Sequence, residues 1–282
     1  MKQRIITACW LIPLAVMWMF YLPHATFVAG AMILVMLGAH EWGKFVFSKN
    51  IDIYSLIIAL LGALSCWFFN PFAGDLPQTI GRNEVAVGIL GMGVSWWIIA
   101  VFLVFKYPKI QANRFLNAVF GITTLIPFFW SLVYLHEAQN PQNLLPFNSG
   151  SFNLFFVMLL VWCADSGAYF VGRAVGRHHM IPAVSPNKTV EGLLGGIVLS
   201  LSVAFALSFF MKDGINFVNV SVAVVIAVIA SVLGDLAESM FKRIAGIKDS
   251  SNLLPGHGGV LDRVDSLTAA LPVYAFIMYL FN

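Results

Sequence analysis

Charge is what this sequence has least of: only 10% of its 282 residues are Asp, Glu, Lys or Arg. Soluble domains carry roughly 25%, so an ordinary water-facing surface is excluded. Cysteine is also scarce. Cys9, Cys66 and Cys163 lie in apolar runs without metal-ligand spacing, which reads as packed thiols and excludes a disulfide framework. There is no Gly-x-x-x-x-Gly-Lys-Ser/Thr loop, so the chain is not a P-loop NTPase. His40-Glu41 and His136-Glu137 lack the second histidine of a zinc-protease helix. His178-His179 falls in a basic loop, where solvation or phosphate contact fits better than metal ligation. No Gly-x-Ser-x-Gly elbow, fixed-period repeat, low-complexity tract or soluble domain is visible.

What replaces charge is apolar bulk. Hydrophobic residues make up 60% of the chain, mean hydropathy is +0.86, and 25 Phe and 8 Trp suit a lipid interface. A helix needs about 20 mainly apolar residues to cross the hydrocarbon core. Candidate spans by that rule lie near 5–22, 25–46, 54–70, 85–105, 115–135, 151–172, 190–211, 217–241 and 262–281. The expected fold class is therefore all-α: a polytopic integral membrane protein of about nine transmembrane helices. Spans 1 and 2 flank Pro23 and are also readable as one broken hairpin.

The bases set the expected orientation. With the N-terminus cytoplasmic, the cytoplasmic segments hold Lys2, Arg4, Lys44, Lys49, Lys106, Lys109, Arg114, Arg173, Arg177, Lys188, Lys242, Arg243, Lys248 and Arg263. Only Arg82 and Lys212 fall outside, so 14 of the 16 bases obey the positive-inside rule and the C-terminus is placed outside. The net charge of +3 then needs no nucleic-acid partner; bases on one face suit anionic headgroups or a phosphorylated cytosolic substrate. Met-Lys-Gln-Arg before an apolar run resembles a signal peptide, but eight further spans make an uncleaved anchor the better reading. The loop near 136–150 is polar and proline-containing, as a solvated external connector should be.

Polarity divides the chain. Spans 1 to 5 are nearly free of charge apart from Glu41 and Lys44 at one helix end, so residues 1–150 read as membrane scaffold. Residues 151–282 (spans 6 to 9, with cytoplasmic loops 173–189 and 242–261) carry Asp165, Glu191, Asp235, Glu238, Asp262 and Asp265 inside or against the spans, and read as the site. Residues 235–265 alone hold five acids, four bases and a histidine. Each charge costs roughly 2.5–3.5 kcal/mol at a membrane helix centre on insertion scales, so such a cluster needs a reason.

Helical phase supplies one. Asp235, Glu238, Ser239 and Lys242 share a face at the end of span 8, and Asp262, Asp265 and Ser266 share one at the start of span 9. The two acidic faces form a cage suited to a hard divalent cation, since Mg²⁺ needs only one or two carboxylates plus water and substrate phosphates. Interhelical salt bridging is the competing reading. Pro255-Gly256-His257-Gly258-Gly259 offers successive backbone N–H groups as a phosphate-cradling nest, with Lys242, Arg243, Lys248 and Arg263 around it. An ordinary flexible turn would look similar.

A second constellation begins at Asp165-Ser-Gly-Ala-Tyr-Phe-Val-Gly-Arg173, where Gly172 and Gly176 form a small-xxx-small pair typical of helix packing. It continues in Ser185-Pro-Asn-Lys-Thr-Val-Glu-Gly192. Ser185 as N-cap and Pro186 at the first helical position predict a helix start there, whose positive end, with Lys188, would face an anion. Capping alone is the alternative.

Ser239-x-x-Lys242-Arg243, Lys248-Asp249 and His257-Gly258-Gly259-x-x-Asp262-Arg263-x-Asp265 together resemble the signature of phosphatidate cytidylyltransferases (CDP-diacylglycerol synthases). The 165–173 and 185–192 segments are also similar to that family's; before residue 150 the likeness is only compositional. The resemblance implies a Mg²⁺-dependent reaction of CTP with phosphatidate, giving CDP-diacylglycerol and pyrophosphate for phospholipid biosynthesis. It also implies an all-helical enzyme of the cell (inner) membrane, commonly dimeric, surrounded by membrane lipids and with its active site facing the cytoplasm.

On that basis Asp235 and Asp262 would hold the metal, Asp265 would assist, and the converging acids leave room for a second cation. Lys188, Lys242, Arg243 and Arg263 would neutralise phosphates, and Lys248 and His257 would sit near the nucleotide. Ser185, Ser239, Gly258, Gly259 and Asp165 complete the expected substrate-binding set. Two other classes stay open: a CTP-dependent lipid (polyisoprenol) kinase, which would transfer the γ-phosphate, and an ion-coupled transporter, for which no inverted repeat is visible.

Overall fold

The computed structural model describes residues 2–47, 51–69, 81–109, 113–136, 149–211, 215–254, 256 and 258–281. Among them the chain is helical almost throughout: α1 (Lys2–Phe20), α2 (His24–Val46), α3 (Ile51–Phe69), α4 (Gly81–Lys106), α5 (Arg114–His136), α6 (Gly150–Val175), α7 (Val190–Leu207), α8 (Phe217–Ile244) and α9 (Leu261–Leu280). Each expected span coincides with one helix to within a few residues. The expected external loop falls mostly on residues 137–148, outside the described ones.

Six of these helices are long and apolar enough to cross a bilayer: the segments 24–46, 87–106, 114–136, 150–175, 190–210 and 217–244. The protein is thus an all-helical, multi-pass membrane protein. Its helices expose large apolar side chains such as Trp67, Phe102, Val198, Phe205 and Phe209, an arrangement that lipid tolerates and water does not. α9 falls short by composition because Asp262, Arg263 and Asp265 occupy its first turns. Pro23, with φ −57° and ψ 151°, separates α1 from α2.

One local expectation is corrected. Residues 185–189 do not begin a helix. They form β2 (Ser185–Thr189), which pairs antiparallel with β1 (His179–Ile181). Thr189 is the true N-cap of α7, its hydroxyl accepting from the Gly192 N–H at 3.1 Å. Ser-Pro and Thr compete for the same helix start. The hairpin pairing decides between them, and Pro186, with no N–H to donate, is tolerated in a two-stranded edge.

Three close approaches bring the polar segments together. A Cβ on Gly167 would lie 2.7 Å from the Gly195 carbonyl oxygen, and one on Gly196 would lie 2.6 Å from that of Ala164, so α6 and α7 meet at backbone distance. Gly234 does the same for α8 and α9: a Cβ there would sit 2.6 Å from the Asp265 carbonyl oxygen. That contact sets Asp235 and Asp265 side by side. The third joins the two halves of the chain, which share one continuous core. Trp42 of α2 stacks on Phe120 of α5 at 5.6 Å and lies 5.3 Å from Phe241 of α8. The Trp42 indole N–H also donates to the Asn117 carbonyl at 2.9 Å. The end of α2 is therefore locked against the end of α8.

Candidate active site

The acids of the second half fall into alternation with lysines. Lys188, at the end of β2, places its ammonium 2.6 Å from Asp235 Oδ2 on α8. Asp235 Oδ1 accepts from the Ser239 hydroxyl one turn on, at 3.2 Å. Asp165 of α6 is near enough to Lys188 and Asp235 for their charges to interact. Four of the expected residues (Asp165, Lys188, Asp235 and Ser239) thus meet where α6, α7 and α8 converge.

The second pairing lies deeper. Lys242 donates to Asp262 Oδ1 at 2.7 Å and lies 3.4 Å from Glu238 Oε2, tying α8 to α9. Glu238 is buried, and neither of its oxygens has a hydrogen-bond partner among the described residues. Asp265 stands beside it and beside Asp235, and Asp265 Oδ1 accepts from the Ser266 N–H at 2.7 Å. Buried charges of one sign need compensation, and among the described residues Lys242 is the base set against Glu238, Asp262 and Asp265.

Asp262 also organises the loop before its own helix. Its Oδ2 accepts from the Gly259 N–H at 2.7 Å, the Ser250 N–H at 2.9 Å and the Ser250 hydroxyl at 3.0 Å. The loop can close this tightly because Gly256 and Gly258 adopt φ of 76° and 82°, a region L-residues rarely enter. The Leu254 N–H donates across the turn to the Gly258 carbonyl at 2.9 Å. Three successive N–H groups at the end of this turn point inward. The N–H of Gly259 is spent on Asp262, and those of Val260 and Leu261 are spent on Glu41. Gly258 and Gly259 thus shape the loop, and the Gly259 N–H is directed at Asp262.

Glu41 is the residue that sequence reasoning missed. It lies in α2, in the half read as scaffold, and is only 2% exposed. Its carboxylate accepts from the N–H groups of Val260 (2.9 Å) and Leu261 (2.7 Å) and from the hydroxyls of Ser250 (3.0 Å) and Ser251 (2.5 Å). Lys44, one turn later, donates to the Ser250 carbonyl at 2.6 Å. One signal for it stood in the sequence: Glu41 and Lys44 are charges with no other reason to sit at an apolar helix end.

The remaining expected residues are not drawn into the cluster. Arg243, Lys248 and Arg263 are exposed and make no salt bridge among the described residues. Ser185 is half-buried on β2, paired in register with Ile181. His257 lies outside the described residues. Among these, no group of three His, Cys, Asp or Glu side chains is gathered as a ready-made cage. The donors nevertheless fit a hard cation. They are carboxylate oxygens throughout; among the described residues Asp262 Oδ1 has a single donor and the Glu238 oxygens have none, so added positive charge would be favourable there.

A model of the cytidylyltransferase family matches residues 2–281. The phosphatidate cytidylyltransferase of Haemophilus influenzae is 38% identical over 292 residues, covering 99% of each chain. That of Pseudomonas aeruginosa is 38% identical over 283 residues, covering 99% of this chain and 97% of the relative. The Bacillus subtilis enzyme is 33% identical over 282 residues, covering 100% and 99%.

Proposed function

Because the chain belongs to the cytidylyltransferase family, we propose that it works as follows: it transfers the cytidylyl group of CTP to phosphatidate, yielding CDP-diacylglycerol and pyrophosphate. The observation that carries this is the full-length likeness to phosphatidate cytidylyltransferases, together with the acids and lysines gathered among α6, α8 and α9. A phosphatidate phosphate oxygen attacks the α-phosphorus of CTP in line. The P–O bond to the β-phosphate breaks, and pyrophosphate leaves. No protein nucleophile is needed, so the protein's part is positioning and charge neutralisation.

Each lysine of the cluster still has a donor for that task. An ammonium carries three N–H groups. Lys188 uses one on Asp235 and a second, weakly, on the Val232 carbonyl at 3.5 Å; Lys242 uses one on Asp262 and stands 3.4 Å from Glu238 as an ion pair. A remaining N–H of each is assigned to a phosphate oxygen. The exposed Arg243 and Arg263 add charge, and Lys248 and His257 are assigned to the nucleotide. Asp235, Asp262 and Asp265 would hold Mg²⁺, with Glu238 adding negative charge beside them and room for a second cation. Bound there, the metal would neutralise the triphosphate.

CTP labelled at the α-phosphorus checks the reaction. Label should enter the lipid from the α position and not from the γ position; γ-label in the lipid would favour the CTP-dependent lipid kinase instead.

The proposal extends to topology: nine crossings of the cell (inner) membrane, N-terminus and active site cytoplasmic, C-terminus outside. The distribution of 14 bases against 2 supports it. A tag after Asn282 should be reachable from outside intact spheroplasts, and protection of the tag would overturn the nine-span arrangement. The homodimer implied by the family resemblance belongs to the same proposal, and the mass of the detergent-solubilised particle checks it.

A further inference from the structure

We propose that Glu41 is a positioning residue for cytidylyl transfer, acting through the 250–261 segment to fix where Asp262 and the glycine turn stand. The inference rests on the cytidylyltransferase reading and extends it to the N-terminal half of the chain.

Four donors converge on this one buried carboxylate, and all come from the 250–261 segment. Hydrogen bonds to a charged group are worth roughly 1.5–3 kcal/mol each, so this is a strong tie between that segment and α2. It reaches the site directly. The Ser250 hydroxyl lies 3.0 Å from Glu41 Oε2 and 3.0 Å from Asp262 Oδ2. A hydroxyl has one proton, so the two carboxylates share it, and a displacement of either is felt by the other. Glu41 also accepts the Val260 and Leu261 N–H groups at the start of α9, where an anion is favoured by the helix dipole.

The glycine of the turn records the same contact from the other side. A Cβ on Gly259 would lie 2.5 and 2.6 Å from the two Glu41 oxygens and 2.0 Å from Ser250 Oγ. The loop is thus wrapped onto Glu41 too closely for any side chain at 259. Glu41 is itself held in register by its neighbour Trp42, stacked on Phe120 and hydrogen-bonded to Asn117. It touches the loop and not the reacting groups, so it positions and does not catalyse.

The test uses the full chain in phosphatidate-containing micelles. Glu41→Gln keeps size but turns an amide N–H₂ toward backbone N–H donors. It should lower kcat/KM for CTP about 30-fold, or ~2 kcal/mol, while KM for phosphatidate stays within about twofold. Hydrogen exchange at Val260 and Leu261 should accelerate in the same variant. Asn117→Ala removes another buried contact of α2, the Asn117 Nδ2 donation to the Phe45 carbonyl at 2.7 Å. It should lower thermal stability without either effect. If Glu41→Gln does not accumulate, Ser251→Ala removes one of the four donors and should cost about 3- to 10-fold in kcat/KM. Wild-type kcat/KM in Glu41→Gln, or equal losses in Glu41→Gln and Asn117→Ala, would overturn the positioning role. Wild-type protein inactive with CTP and phosphatidate would overturn the underlying reading itself.

Discussion

Asp262→Asn is expected to lower kcat/KM for CTP by at least about 100-fold, or ~2.7 kcal/mol, while the protein still inserts and purifies as a folded particle. The side chain keeps its size but loses the charge that holds two parts of the site. Asp262 Oδ1 accepts from Lys242, and Oδ2 accepts from Ser250 and Gly259. An asparagine serves one side only. If its carbonyl faces the loop, its N–H₂ points at the Lys242 ammonium; if it faces Lys242, the N–H₂ points at two backbone N–H groups. Either orientation opposes donors in a partly buried place, and such mismatches cost about 1–3 kcal/mol each. Lys242 is then left with Glu238 as its remaining ion-pair partner. The surrounding core of α9, including Leu267, Leu271 and Tyr274, is untouched, which is why insertion survives. Activity in detergent–lipid micelles measures the effect. Full activity in Asp262→Asn would remove this residue from the site.

Lys188→Met carries the second large effect, a loss of about 30- to 100-fold in kcat/KM for CTP. Methionine preserves the length and apolar stem of the side chain but removes the ammonium that lies 2.6 Å from Asp235. Asp235 and Asp165 then lose the lysine charge with which both interact. The third N–H group assigned to a phosphate is also gone. Lys188→Arg should recover part of the loss, because charge is restored while the compact ammonium geometry is not. Equal activity for Lys188→Met and wild type would show that this lysine only braces the hairpin.

Much of this arrangement was legible in the sequence because it depends on local rules. Hydrophobic run length placed the helices, and 3.6-residue phase put Asp235, Glu238, Ser239 and Lys242 on one face, where α8 carries them toward α9. What the sequence did not reveal depends on tertiary choice. Ser185-Pro186 and Thr189 are each good helix starts, and only the pairing of residues 185–189 with 179–181 selects the later one. The tight glycine turn was foreseeable, but the inward direction of the N–H groups of Gly259, Val260 and Leu261 was not, because their acceptors are Asp262 and a residue more than 200 positions away. Glu41 reaches the loop through packing of Trp42 on Phe120 and Phe241, a contact no periodicity encodes. The division into scaffold and site is crossed at that point. Residues 1–150 supply one of the two carboxylates on which the signature loop is folded.

The most direct measurement is pyrophosphate release by the purified protein in mixed micelles, with CTP, phosphatidate and Mg²⁺ omitted one at a time. Release that requires all three, with CDP-diacylglycerol formed in equal amount, is the predicted result. Pyrophosphate released without phosphatidate, or lipid product formed while CDP accumulates in place of pyrophosphate, would contradict it.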